Sequence, residues 1–495
     1  MQASTPISPG PHGASPAPAP HAARDAARSA AVRKKTDLAT SFRLCTTEGL
    51  VAMPIVIMSL PVNVVLSALV TKGLNLPNQT IGAISALPFI CNILQVVVSP
   101  LLSRWFQSKA ITLFCSLLHL LSWAIFAVLL DYLPRNDAAL AGLWVGVWFF
   151  VSSFCATLTG VSWNAWIQEW VPSRLRGKYF GSRNRLLQFS TLSFLLLSGW
   201  ILATLDYSRT AFQHVIAFAI ALRALSILWQ WRMPTEASER PPERTATFSA
   251  QLVILRRATS FLWFIAFGAA WAFAANLFGP FYHVFMFREL GFSAFNVSVL
   301  SVCGAIGAAL SMPAWGQLLD RHGNKSVMTV SLLLWQLVNI AWCFTSPANR
   351  DWLYPVWFLG GLTNAGFFLG QFTLLLKIIP LPARNLAIGV NLAITSVFAA
   401  IAPVLGGLIL DWAQTRWGNS GLRIYHLCFI AQPILALSAA WILLRIKEPA
   451  AVSLTHVVGA MRSVRTLAAL SGLSFLTSYI FYRSPRANRQ AARHN

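Results

Sequence analysis

The stretch GQLLDRHGNKS, residues 316–326, puts two glycines, an aspartate and a cluster of basic side chains into one tight turn of a chain that is oily on either side of it. An apolar run over 296–317 leads into it and another over 326–345 leads away. Each is long enough to cross roughly 30 Å of hydrocarbon as a helix. Polar residues between two such runs mark a place where the chain leaves the bilayer and turns back into it.

The same alternation fills the chain. Of 495 residues, 56% are hydrophobic and 11% charged, too apolar to cover a water-facing surface. Twelve apolar runs are legible: 47–70, 80–103, 110–130, 140–167, 187–204, 213–231, 260–283, 296–317, 326–345, 352–378, 386–410 and 424–444. None alternates with period two, which argues against a transmembrane barrel. The expected fold is an all-α membrane protein of twelve transmembrane helices.

The net charge of +23 raises nucleic acid as a partner, but the placement of the charge excludes it. With the N-terminus inside, 30 Lys and Arg fall in cytoplasmic segments and at their run ends and seven in outward loops, leaving Arg223 alone deep within a run. That asymmetry predicts both termini in the cytoplasm of a cell (inner) membrane, and no soluble domain is left to carry a nucleic-acid face. The seven cysteines are scattered and lack a C-x-x-C pair, so they read as packing residues; no metal site and no cofactor is expected.

The longest hydrophilic break, 232–259, follows the sixth run. It divides the chain into an N-terminal bundle over 42–231 and a C-terminal bundle over 260–446. Residues 1–41, rich in Pro, Ala, Ser and Arg, read as a disordered cytoplasmic tail. Residues 447–495 read as a cytoplasmic amphipathic helix and tail. A span over 466–482 would carry Arg483, Arg486, Arg489 and Arg493 outside, so that stretch is expected on the inner leaflet. Two pairs of inside turns repeat between the halves: Pro172/Arg174 with Pro382/Arg384, and SPLLSRW (99–105) with GQLLDRH (316–322).

Gly316, Leu318, Asp320, Arg321, Gly323 and Lys325 together make the opening turn similar to the G-x-L-x-D-R-x-G-x-K/R loop of the major facilitator superfamily, in its expected place between the second and third helices of the C-terminal half. The resemblance implies two pseudo-symmetric six-helix bundles and solute transport by alternating access. It also makes Gly316, Asp320, Arg321, Gly323 and Lys325 a gating loop. The plainer alternative is an ordinary basic turn. In the first half Ser99 and Ser103 replace the Gly and Asp, leaving Arg104 and Lys109 of the pattern; Arg104 joins the gating candidates, as do Arg174 and Arg176 of the basic stretch EWVPSRLRGKYFGSRNR (169–185), read as a turn whose charges either pair with Glu169 or anionic lipid or simply orient the chain. APVLGGLILD (402–411) is similar to part of a drug/proton antiporter motif, but that motif belongs in run 5, which has no proline.

In this architecture runs 1, 4, 7 and 10 line the cavity. Candidate substrate residues are Asn63, Trp163, Asn164, Trp271, Asn276, Tyr282, His283, Asn364 and Gln371, with Asn92 and Gln95 from run 2. Amides beside aromatic rings suit a small neutral, hydroxyl-rich or amphiphilic solute, although an interhelical hydrogen bond competes for each amide. A coupling ion, proton or sodium, and membrane lipids are the other expected partners. All acidic residues fall in tails, loops or run ends, so possible proton sites reduce to Glu48, Glu169, His119 and His283. The alternative functions are a membrane-integral lipid- or glycan-modifying enzyme, opposed by the absence of any catalytic motif, and a non-transporting sensor on the same fold.

Overall fold

In hydrocarbon a backbone polar group finds no partner but another backbone group, so each apolar run closes on itself as a helix. The computed structural model describes residues 20–134, 136–235, 247–418 and 421–448. In chain order its helices are α1 (Pro20–Met58), α2 (Val64–Ala68, continued by a π turn, Leu69–Gly73), α3 (Asn78–Leu102), α4 (Ser108–Leu129), α5 (Ala138–Trp170), α6 (Ser173–Thr204) and α7 (Arg209–Arg232). The second half holds α8 (Phe248–Arg257), α9 (Thr259–Leu277), α10 (Phe281–Arg288), α11 (Ala294–His322), α12 (Asn324–Asn339), α13 (Leu353–Ile378), α14 (Arg384–Trp417) and α15 (Gly421–Leu443). Among the described residues these supply twelve helical stretches long and apolar enough to cross a membrane.

Four boundaries differ from the sequence reading. Helix α1 already begins at Pro20, inside the stretch 1–41 expected to be disordered, because AARDAARSAAVRKK is built largely of strong helix formers. The break 232–259 contains α8. The basic stretch 169–185 is mostly helix: α6 starts at Ser173, just after Pro172. Runs 1 and 7 are not continuous. Pro61 offers no N–H and disfavours helical geometry at Leu60, so α1 stops at Met58 and the chain restarts at Val64. In the second half Gly279 and Pro280 break the helix between Leu277 and Phe281. The expected inner-leaflet helix at 466–482 lies outside the described residues.

In the first half α1 packs on α6 and α7, α4 on α5 and α7, and α3 on α5; in the second, α9 packs on α14 and α15, α11 on α13, and α12 on α13 and α15. The halves meet along α3 with α14 and α6 with α11. Small residues make these approaches close, since packing rather than water exclusion holds helices together in lipid. A Cβ at Gly82 would sit 2.1 Å from the Pro403 carbonyl oxygen across the α3–α14 contact, and one at Gly361 2.0 Å from that of Gly304 between α13 and α11.

Candidate substrate cavities and gates

Polar contacts between the halves gather at the end of the bundle away from the basic loops. The Asp411 carboxylate on α14 accepts hydrogen bonds from the Asn78 N–H (3.2 Å), the Asn78 side-chain amide (2.9 Å) and the Gln79 N–H (2.7 Å), capping the N-terminus of α3. An anion placed there meets the positive end of the helix dipole as well as free N–H groups. Arg288 donates to the Leu76 carbonyl (2.6 Å) and to Asn78 Oδ1 (3.1 Å). Tyr207 OH accepts from the Ala294 N–H (2.8 Å), Ser298 donates to the Leu195 carbonyl (2.7 Å), and Ser67 Oγ pairs with His283 Nδ1 (3.0 Å).

At the basic end the polar bonds tie helices within each half, in a matching pattern. Lys109, at the start of α4, donates to the Trp231 and Met233 carbonyls ending α7 (3.0 and 2.7 Å). Lys325, at the start of α12, does the same to the Leu444 and Ile446 carbonyls after α15 (3.3 and 3.0 Å). The opening turn is anchored here: Gly323, with φ +86°, lets the chain reverse between α11 and α12. Glu448 then caps α12 by accepting from the N–H groups of Asn324 (3.1 Å) and Lys325 (2.8 Å), with Lys377 Nζ 3.3 Å away. Burial alone would raise the Glu448 pKa, but these N–H donors and Lys377 outweigh it and hold the carboxyl below its ordinary range. Asp320, expected to make such contacts, is exposed and forms no ion pair among the described residues, and Arg321 is exposed too. Gly316 sits inside α11 opposite Leu369. Arg176 caps α5 through the Val171 and Gln168 carbonyls (3.0 and 2.6 Å), while Arg104 and Arg174 are exposed.

The N-terminal half encloses a cavity of about 390 Å³ beside the lower part of α1. Its polar wall is a charge cluster. Glu48 is 2% exposed and lies in the middle of its span, which corrects the expectation that acidic residues keep to run ends; the helix simply begins well before the apolar density does. Its Oε1 accepts from Gln230 Nε2 (2.8 Å) and Ser226 Oγ (3.1 Å), and its Oε2 lies 3.5 Å from Arg183. Arg223 donates to Ser116 (2.8 Å) and Ser226 (3.3 Å). Arg183 donates from Nε to the Cys45 carbonyl (3.2 Å) and lies over the Trp163 ring at 4.6 Å. Neither Arg183 nor Gln230 was a sequence candidate. The legible signal was Arg223, a lone charge in a span and so in need of a buried partner.

A second cavity of about 510 Å³ lies mainly in the C-terminal half, walled by Tyr282, Trp335, Trp342, Trp357, Asn339 and Asn364. Tyr282 OH donates to Gln432 Oε1, and its ring stacks on Phe429 at 4.3 Å. Pro61 lines the first cavity and Val62 the second, so the break in span 1 is their common wall.

Of the sequence candidates, Asn92, Trp163 and Asn164 line the first cavity, with Glu48 and His119; Tyr282, His283 and Asn364 line the second. The others are engaged elsewhere. Asn63 is spent on the helix break: its amide donates to the Met58 and Leu60 carbonyls (3.0 and 2.8 Å) and its Oδ1 accepts from the Leu66 N–H (2.8 Å). Trp271 is buried against Trp335 and Phe367, and Asn276 bonds back to the Ala272 carbonyl. Gln95 is buried beside Asn92 (3.4 Å), and Gln371 and the half-buried Glu169 stand apart from both cavities. Because the Trp123 indole N–H can only donate, His119 Nε2, 3.0 Å away, holds a lone pair and the ring is neutral.

Residues 272–491 match the family profile described as Major Facilitator Superfamily. This match, over 220 of the 495 residues, makes the C-terminal part of the chain similar to the major facilitator superfamily. The chain is 28% identical over 130 residues to the MFS-type transporter lnaF of Aspergillus flavus, covering 24% of this chain and 27% of that protein. It is 24% identical over 131 residues to the rubrofusarin-specific efflux pump aurT of Gibberella zeae, covering 26% and 23%. These alignments span about a quarter of either relative. Its fold is shared with the D-xylose-proton symporter (TM-score 0.63, 14% identity, 82% of this chain and 97% of that one). It is shared equally with a bacterial Spinster homologue in an inward-facing, unoccupied conformation (0.60, 14%, 83% and 96%).

Proposed function

We propose that this chain is a secondary transporter of the major facilitator superfamily that moves a small amphiphilic solute across the cell membrane by alternating access. In this reading the basic end faces the cytoplasm, both termini lie inside, and the structure is the state closed toward the outside. The observation that carries it is the one-sided seal: Asp411, Arg288, Tyr207 and Ser298 join the halves at one end, while the lysine caps at the other bind each half only to itself. Rocking of the halves would break the first set and leave the second intact. The names of the similar proteins, which include an efflux pump and a sugar–proton symporter, point the same way. Cavities walled by rings, amides and one charge cluster suit a solute with an apolar body and a few polar groups. The Asp320 carboxylate, which makes no ion pair among the described residues, would latch the opposite, outward-open state.

The test is a reversible lock. The Asn78 and Asp411 side chains meet across the seal, 2.9 Å apart at their tips, and cysteines at these positions, with cross-linking verified by gel shift, would pin that end shut. Oxidation should stop counterflow of a solute identified by thermal-shift screening, and reduction should restore it. Full counterflow by the cross-linked protein would refute alternating access through this seal.

A further inference from the structure

We infer that the N-terminal cavity binds an organic anion, its oxyanion on Arg183 and its apolar body against Met53, Val56, Leu60 and Leu187. This rests on the transport reading for the cavity's role and adds the charge of its ligand. The cavity wall holds two guanidinium groups and one carboxylate, and His119 is neutral, so the enclosure carries an excess positive charge. Glu48 does not cancel it evenly: its Oε1 faces Ser226 and Gln230, and its Oε2 stops 3.5 Å short of Arg183, too far for a good charge-assisted bond.

Arg183 is built for a ligand. Though 7% exposed, it lines the cavity, and its only hydrogen bond among the described residues runs from Nε to the Cys45 carbonyl. The Trp163 ring covers one face of the guanidinium at 4.6 Å and Nε is fixed, which holds the plane and leaves NH1 without a hydrogen bond among the described residues and NH2 with only the longer ion pair to Glu48 at 3.5 Å. Position 49 must be glycine to allow this, since a Cβ there would lie 2.3 Å from NH2. A fixed guanidinium edge matches the paired oxygens of a carboxylate or phosphate, and neither a hydroxyl nor an amide uses its charge. Met53, Val56, Leu60 and Leu187 line the same cavity and offer apolar surface to the body of the ligand.

The test uses the full chain in nanodiscs of zwitterionic phosphatidylcholine, which removes anionic lipid as the source of the oxyanion. Matched probes are 4-phenylbutyrate, phenethyl phosphate and the uncharged 4-phenylbutyramide, measured by calorimetry. At least one anion should bind about tenfold or more tightly than the amide. Arg183→Gln should remove that preference, and Gly49→Ala, which keeps every charge but displaces the guanidinium, should weaken it. An amide that binds as well as both anions, no binding by either anion, or anion binding unchanged in both variants overturns the proposal. Adding phosphatidylglycerol and finding that it competes assigns the oxyanion site to lipid and overturns it too. Arg183-dependent binding without counterflow in proteoliposomes would sink the transport reading and leave the site; counterflow of a neutral solute untouched by Arg183→Gln would do the reverse.

Discussion

Gly82→Ala should pry the outer seal open. A Cβ at this position would lie 2.1 Å from the Pro403 carbonyl oxygen, against a practical minimum of 3.0 Å, and backbone cannot rotate out of the way. The α3–α14 contact must therefore widen by about 0.9 Å there, if lower down, where Val96 meets Gly389, it stays in place. Fourteen residues separate Gly82 from Val96, about 21 Å of helix, and Asn78 is about 6 Å further out, so the gap at Asn78 grows by about 1.2 Å. The bonds from Asn78 and Gln79 to Asp411, now 2.7–3.2 Å, then stretch to about 4 Å or more and are lost. Overpacking of this kind costs about 1–3 kcal/mol and falls on the closed state alone, moving the population toward outward-open by about 5- to 150-fold. The helix-propensity gain of Ala over Gly is common to both states and cancels. The readout is labelling of Ser298→Cys, fully buried between α11 and α6 at the closed end, by an impermeant maleimide in a background stripped of the native cysteines. Gly146→Ala, with nothing within 4 Å of the new methyl, is the control. Equal labelling in Gly82→Ala, Gly146→Ala and the parent would show that this contact does not hold the gate.

Glu48→Gln leaves Arg183 and Arg223 buried without a counter-charge and should lower stability by about 3–5 kcal/mol; adding Arg183→Gln should recover part of it, and additive losses would show the pair to be uncoupled. The Glu448 carboxyl titrates below its unfolded range near 4.5, so its stabilising contribution is complete above that pH and fades as pH falls through the lower folded value. The melting-temperature advantage of wild type over Glu448→Gln should be flat near neutrality and shrink only under acid; an advantage that instead vanished on going alkaline would contradict the cap. Asp320→Asn should leave thermal stability within about 0.5 kcal/mol, because the side chain is exposed here, yet slow counterflow. Unchanged counterflow at normal expression would remove Asp320 from the gate.

The twelve spans, the division into halves and the turn at 316–326 were legible because hydrophobic length and loop charge are properties of composition. What composition hides is which way a charged residue faces. Arg183 was counted with the orientation charges of a loop and is instead eleven residues into α6, turned inward onto Trp163; Glu48 sits on a helix whose start has no apolar signature. Glu448 follows the last run in a polar tail, and nothing local marks it as the cap of a helix more than a hundred residues earlier. The breaks at Pro61 and Gly279–Pro280 were visible as residues, but a hydropathy window averages over them.

The interruption of span 1 has a mechanical reading. Below it, α1 is fastened to the first half through Glu48 and Arg183; above it, Ser67 is bonded to His283 of the second half. The span is thus two bars joined by a short pin at residues 59–63, the lower carrying its polar tie to the first half and the upper carrying one to the second. A rigid rod in that position would have to tilt in a single motion. In the proposed transport cycle a jointed one would permit two strokes, the upper bar moving with one half before the lower bar follows, and between the strokes a solute would be shut off from both faces of the membrane.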